Sequence, residues 1–368
     1  MSNIIDDLSN FPDLIEKLAR KKRRKQVKRK KPNLSEQPWE REEYRIGAEE
    51  KSRLLSLQML SRMVYDLPME NAAGESATRV VDNRVSMVCS FVMGLWNLQS
   101  ERELISLIND NEMIRDIIGI TKGFSRSLYG RNIKKCMIKK GDTLIFNLLE
   151  LLSEEDQKII LSEIKGKDLF LDQVIISTSR RAKDTASLKN YKGFHRGIGV
   201  TVVGTMDGRI PVALAIGPAK LGEVRASELL IPEIAPLKPK GLVADSGYDA
   251  DKLFRLCKQY GMRLLAGYNK RGAKTPDSIA SPLRRENFKR LQTKEGKEIM
   301  KKRSRGEHLF TILKQTMGLE KHRPTSYDQS FMLVISYTMT VCFDSVFQKK
   351  NNMNTRKPPG KRFYQQIS

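Results

Sequence analysis

Apolar residues return at helical spacing after residue 45, through Leu54, Leu57, Leu60 and Met63, positions that fall on one face of a helix. Residues 85–98 (VSMVCSFVMGLWNL) are apolar nearly all round, which predicts the central buried helix of a helical segment. Ser100 followed by Glu103 is a capping box that opens a short helix through Leu104, Ile105 and Ile108. Further helices are predicted over 112–118 with a stop at Gly119, near 125–136, over 143–152, and from Ser153 and Asp156 onward. Short helices with tight turns suit a helix-turn-helix-like DNA-binding module, and they suit any other small helical domain as well.

At residue 167 the texture changes. Residues 169–176 (LFLDQVII), 199–205 (GVTVVGT), 209–216 (RIPVALAI), 242–244 and 262–266 are short β-branched or leucine-rich runs, with helical patterns at 223–231 and 250–260 between the later ones. Three strands in succession, then helix, strand, helix, strand, predict an α/β fold: a mixed sheet with helices on its faces, in the order of a ribonuclease H-like core. The apolar run 331–347 is interrupted by Ser336, Thr338, Thr340, Asp344 and Ser345, so it reads as a buried helix rather than a membrane span. The expected organisation is a basic arm and linker over 1–45, a helical DNA-binding domain over 46–165, a ribonuclease H-like catalytic domain over 166–348 and a polar tail over 349–368.

Charge sharpens this picture. The 368 residues carry 67 Lys and Arg against 43 Asp and Glu, a net charge of +24, which points to a polyanionic partner. With 39% apolar and 30% charged residues, the chain has the composition of a soluble globular protein rather than a disordered or membrane-spanning one. The excess is zoned. Residues 17–31 hold 11 basic residues in 15 with no acid, among them Lys21, Arg23 and Arg24; such a block is solvated until it meets phosphates. Residues 270–305, beginning with Lys270 and Arg271, hold 13 basic residues and 4 acids, and residues 180–196 hold 6 basic residues and 1 acid. Binding to double-stranded DNA over several surfaces is the expectation. Cys89, Cys136, Cys257 and Cys342 stand far apart, as buried reduced thiols do, and give neither a zinc ribbon nor a dithiol redox site. The N-terminus (MSNIIDDLSN) lacks the basic and apolar regions of a signal peptide, which predicts a cytoplasmic protein.

The chemistry lies in a few acids. Asp172 sits in the middle of the otherwise apolar LFLDQVII. An ionised carboxylate there is costly unless compensated, and a divalent cation at a site bordering solvent would compensate it; a carboxylate on an edge strand facing water is the plainer alternative. Asp245 directly follows the strand at 241–244. Carboxyl ends of strands in α/β sheets gather ligand-binding residues, although an Asp capping the next helix is equally ordinary. Asp249, just before Ala250, is the expected cap of that helix, which leaves Asp245 for another task. From Met300 to Gly318 the pattern is helical, and at about 100° per residue Arg303 lies ~40° and Lys314 ~20° from Glu307. A surface ion pair would account for Arg303 and Glu307; an acid framed by two phosphate-contacting cations would account for all three residues. With only His195, His308 and His322 and no H-x-H pair, a His-hydrophobe-His nickase site is excluded.

LFLDQ, VADSGYDA and RSRGEHLFTILK resemble the three catalytic segments of DDE transposases encoded by bacterial and archaeal insertion sequences. The family's third-segment signature, an Arg before and a Lys after the Glu, is met by Arg303, Glu307 and Lys314; Met300 stands where the family usually has Tyr, and Gly306 where it usually has a bulky apolar residue. SERELISLINDNEMIRDIIGI and KGFHRGIGVTVVGTMDGRIPVALAI are similar to its helical N-terminal domain and to its second and third core strands, so the likeness spans roughly 80 to 345. The acids follow in order at separations of 73 and 62 positions. The resemblance implies a transposase in which Asp172, Asp245 and Glu307 hold two Mg²⁺ or Mn²⁺ ions for phosphodiester cleavage and strand transfer. It further implies that Arg303 and Lys314 hold phosphates, that transposon ends and target DNA are the partners, and that a homodimer assembles on DNA beside the nucleoid. A metal-dependent nuclease on the same fold and a catalytically decayed DNA-binding relative are the alternatives.

Overall fold

The computed structural model describes residues 47–65, 67, 83–124, 138–140, 143–179, 182, 186–190, 193–270, 278–319, 324, 326–353 and 359. The basic arm with Lys21, Arg23 and Arg24, the expected helix near 125–136, Cys136 and Arg271 lie outside the described residues.

The first part is helical: α1 (Ala48–Tyr65), α2 (Asn83–Leu95), α3 (Glu101–Asp110) and α4 (Glu112–Ile118). Ser100 caps α3 by accepting the Glu103 N–H at 3.2 Å, and Glu103 reaches back to accept the Gln99 N–H at 2.9 Å, one residue before the cap, a variant of the capping box expected there. α2 is buried along its length, with Val88, Phe91, Val92 and Met93 fully enclosed. It packs against the last helix, α11 (Tyr327–Lys350), through an aromatic contact between Phe91 and Phe343 with ring centroids 5.0 Å apart. Among the described residues α11 is the one helix long and apolar enough to cross a membrane, and 94% of its apolar window is buried inside the protein. Two of its hydroxyls are satisfied within the helix, as Thr338 and Thr340 each donate at 2.7 Å to the carbonyl four residues back, whereas Tyr337 donates to Leu98 O at 2.9 Å and Ser345 to Arg209 O at 2.8 Å.

One eight-stranded mixed sheet forms the other layer, from β1 (Ile138–Lys140), β2 (Thr143–Asn147), β3 (Asp168–Ser177), β4 (Ala186–Asn190), β5 (Gly193–Thr205), β6 (Pro211–Pro218), β7 (Gly241–Ala244) and β8 (Arg263–Ala266). Its order is β1-β2-β6-β5-β3-β7-β8, with β4 paired to β5. β3, β5 and β6 run antiparallel in succession, and β7 and β8 add in parallel on the other side of β3. The helices α6 (Gly222–Ile234) and α7 (Asp251–Gln259) make the crossovers that parallel strands require. This is the ribonuclease H-like arrangement that the element order predicted, preceded by a helical part and flanked by helices.

Two segments differ from expectation. Residues 143–152, expected as a helix, form β2 and a 3₁₀ turn over Leu148–Leu151, preceding helix α5 (Glu154–Ile164). TLIFN is short and rich in β-branched and aromatic residues, and β6 offers it a pairing edge, with Leu144 opposite Ile216; short apolar runs of this kind do not declare their state through periodicity. The helix expected over 300–318 is broken into α9 (Lys294–Arg303), a turn at 304–306, α10 (Glu307–Thr311) and a π-helical stretch over Ile312–Thr316. In the turn, bonds shorten to three residues, as from Gly306 N–H to Arg303 O at 2.8 Å, and Ser304 Oγ donates to Lys301 O at 2.8 Å. Ser and Gly are weak helix formers, and the serine offers the backbone a local alternative.

Candidate active site

The site is built where the middle of β3 adjoins the carboxyl end of the parallel strand β7. Parallel pairing aligns Asp168 with Gly241, Leu169 with Leu242 and Phe170 with Val243; the same register continued by two residues sets Asp172 beside Asp245. Asp172 is flanked by core residues of β3, and its Oδ1 accepts the Gln173 N–H at 2.8 Å. Asp245 leaves β7 and caps the 3₁₀ turn Ser246–Tyr248, accepting the Gly247 N–H at 2.7 Å.

Glu307 comes from outside the sheet, at the first position of α10, and its side chain is 58% exposed. Between it and Asp172 stands Arg303, with Nη1 3.4 Å from Asp172 Oδ2 and Nη2 3.2 Å from Glu307 Oε1. The guanidinium thus ties the end of α9 to the centre of the sheet across 131 residues of sequence, and holds the two carboxylates on either side of one positive group.

Electrostatics follow from this crowding. Burial pushes the Asp172 carboxyl up to about 6; Gln173 N–H and Arg303 pull it down, while the negative charges of Asp245 and Glu307 push it further up. Tyr248, the last residue of that turn, is fully buried, and its hydroxyl is held well above the usual phenol range by burial and then by Asp172, Glu223 and Asp245. Two further carboxylates thus bear on Asp172, and hard oxygen donors of this kind are chemically suited to a divalent cation. Among the described residues no three His, Cys, Asp or Glu side chains close around one point as a ready metal cage; Arg303 stands among them and supplies the compensating charge.

Residues 165–343 match the family of transposase DDE domains. This part of the chain is a transposase DDE domain. No curated protein and no solved structure matches the chain. The transposase domain makes DNA the substrate and places the chemistry among polynucleotidyl transfers; its family generally depends on divalent metal ions.

The structure brings together Asp172, Asp245, Glu307 and Arg303. Lys314 lies half-buried in the π-helical stretch, where i→i+5 winding shifts it off the stripe calculated for a continuous α-helix. Lys270 is exposed at the limit of a described segment. Asp249 does not cap α7, whose first turn follows Ala250 without a side-chain cap. It is 1% exposed and paired with Arg284, which donates from Nε at 3.0 Å and from Nη2 at 2.7 Å. Arg284 also donates to Asn269 O at 2.6 Å, and the Asn269 side chain donates to Ser246 O at 3.3 Å, so this network braces the turn that carries Asp245. His308 lines a small cavity with Arg209, Asp344 and Gln348. Cys89, Cys257 and Cys342 are buried free thiols; burial pushes Cys257 and Cys342 up to about 12. Sequence reasoning missed Glu223, in the first turn of α6, because an acid there is ordinary as a partner for the helix dipole.

Proposed function

We propose that this chain is the transposase of an insertion sequence, which binds its element's terminal inverted repeats, cleaves a phosphodiester there and joins the freed end to target DNA. The observation that carries this reading is the gathering of Asp172, Asp245 and Glu307, with Arg303 among them, about the junction of β3 and β7 in a ribonuclease H-like sheet. Asp172, Asp245 and Glu307 would hold two Mg²⁺ or Mn²⁺ ions, which when bound activate a water or 3′-hydroxyl and stabilise the leaving oxygen. Asp172 and Asp245 are fixed by strand register, whereas Glu307 stands on a short helix at the surface and can meet the DNA backbone. Arg303 is poised to exchange its carboxylates for a phosphate oxygen when DNA and cations arrive, since guanidinium binds either anion through paired N–H groups.

α8 (Pro282–Gln292) and α9 lead the DNA toward this point. Lys294, Lys297, Lys301, Lys302 and Arg305 are exposed and end beside Glu307. Two copies of the chain would act on the paired ends, in a cytoplasmic, nucleoid-associated setting. The test is incubation of the protein with Mn²⁺ and a supercoiled plasmid bearing the terminal repeats. Nicks at the repeat ends and joined products, both lost in Asp172→Asn, are expected. Ends released without joined molecules would make it a nuclease, and cleavage retained in Asp172→Asn would overturn the assignment of the acids.

A further inference from the structure

Glu223 and Asp245 each bring a carboxylate oxygen against Gly247, into space that a side chain there would take. A Cβ on Gly247 would stand 2.0 Å from Glu223 Oε2 and 3.0 Å from Asp245 Oδ1. The two acids reach this place from different elements, the first turn of α6 and the end of β7. Beside them Tyr248 is 0% exposed, and its hydroxyl has no hydrogen-bond partner. A buried hydroxyl left unpaired is destabilising. Here it lies within the field of Asp172, Glu223 and Asp245. Two carboxylate oxygens brought together over a residue without a side chain, and a buried unpaired donor within their field, are together the arrangement that a hydrated cation would complete.

We propose that Glu223 is a fourth acidic residue of the site, sharing a divalent cation with Asp245 across the Gly247 cradle, and that the Tyr248 hydroxyl orients a water of that cation. The inference rests on the reading of Asp172, Asp245 and Glu307 as the metal-holding acids and adds a member to them. Gly247 is then required for space: any side chain would push Glu223 off the volume that it shares with Asp245. Tyr248 is a positioning residue, acting on the cation through water.

The experiment is a titration of Mn²⁺ into the full-length protein without DNA, with free Mn²⁺ followed by its electron paramagnetic resonance signal. Asp245→Asn should weaken binding by about tenfold or more, and Glu223→Gln and Gly247→Ala by about tenfold each, as loss of a ligand or its support does. Melting temperatures in EDTA identify folded variants; if Glu223→Gln does not fold, Glu223→Asp, which keeps the charge but falls short, carries the same expectation at smaller size. Binding by Glu223→Gln and Gly247→Ala within twofold of wild type, with Asp245→Asn defective, overturns this inference and leaves the three-acid reading standing. Binding unaffected by Asp172→Asn, Asp245→Asn and Glu223→Gln alike overturns both.

Discussion

Gly306 lies against the ring of Phe170 so closely that a Cβ at 306 would stand 2.7 Å from Phe170 Cγ. Phe170 is 1% exposed and packs edge-on against Phe310 of α10, with ring centroids 6.3 Å apart, so the ring has little room to yield. It sits two residues before Asp172 on β3, and Gly306 immediately precedes Glu307. The glycine is thus the point at which the helix carrying one acid approaches the strand carrying another. A large residue here would lift Glu307 away from the sheet. Gly306→Leu should destabilise the protein by about 1–3 kcal/mol through overpacking and slow cleavage by about 100-fold through misplacement of Glu307, with Gly306→Ala intermediate. Thermal melts and single-turnover cleavage check both, and a fully active Gly306→Leu would show that Glu307 needs no such approach.

The Asp172 carboxyl, raised from 3.8 to about 6, makes a pH prediction with a definite sign. Between those values the folded state holds a proton that the unfolded state has lost, so stability falls as pH rises through this window, and the cost is fully present above about pH 6. Two units correspond to at most about 3 kcal/mol. In EDTA, Asp172→Asn should therefore melt higher than wild type at pH 8, by about 3–5 °C, and the difference should vanish below pH 4. An Asp172→Asn that melts lower at pH 8 would mean that Arg303 stabilises the carboxylate by more than burial and its acidic neighbours oppose it.

Arg303, as a cation already standing between Asp172 and Glu307, competes with any metal ion for the same oxygens. Without DNA, Arg303→Gln should bind Mn²⁺ several-fold more tightly than wild type, in line with the modest worth of partly exposed ion pairs. Its cleavage of DNA should nevertheless drop, because a phosphate-binding group has been lost. Calorimetric titration gives the first quantity and cleavage assays the second; weaker Mn²⁺ binding would show that Arg303 organises the acids rather than competing for them.

The network behind the Asp245 turn depends on one ion pair. Asp249 is 1% exposed, and Arg284 is its guanidinium partner. Arg284→Ala would leave a buried carboxylate uncompensated, which costs about 3–5 kcal/mol. Adding Asp249→Asn to Arg284→Ala should recover part of that loss, as coupled partners do in double-mutant cycles. Urea melts of the two single variants and the double variant measure it, and simple additivity would place the compensation for Asp249 elsewhere.

Asp249 also shows where sequence reading stopped. DSGYD offers two aspartates beside one turn, and local rules favour the one nearest the helix as its cap; its true partner, Arg284, lies 35 residues away and leaves no local signal. The core strands were legible because β-branched runs alternate with helical patterns, and Asp172 because a charge in such a run is costly. β2 was not legible, since its state is set by the exposed edge of β6. Arg303 and Glu307 were found by assuming a continuous helix that the RSRG turn interrupts. Their ion pair survives because they flank the turn, whereas Lys314, beyond it, inherits the π-helical shift.

The net charge of +24 separates into two functions that salt can distinguish. Lys294, Lys297 and Lys301 recur at intervals of three and four along α9 and are exposed, so they form one stripe leading to Glu307. Each phosphate contact contributes about 0.9 to the slope of log affinity against log salt. Lys297→Glu with Lys301→Glu should therefore flatten that slope by about 2 and shift cleavage to higher protein concentrations, leaving the rate at saturating DNA little changed. Deleting residues 17–31 removes 11 basic residues and should flatten the slope further, lowering affinity for any sequence alike. Loss of chemistry at saturating DNA after that deletion would show that the arm serves the site and not only the approach. An unchanged slope in the α9 variant would move the DNA track off this helix.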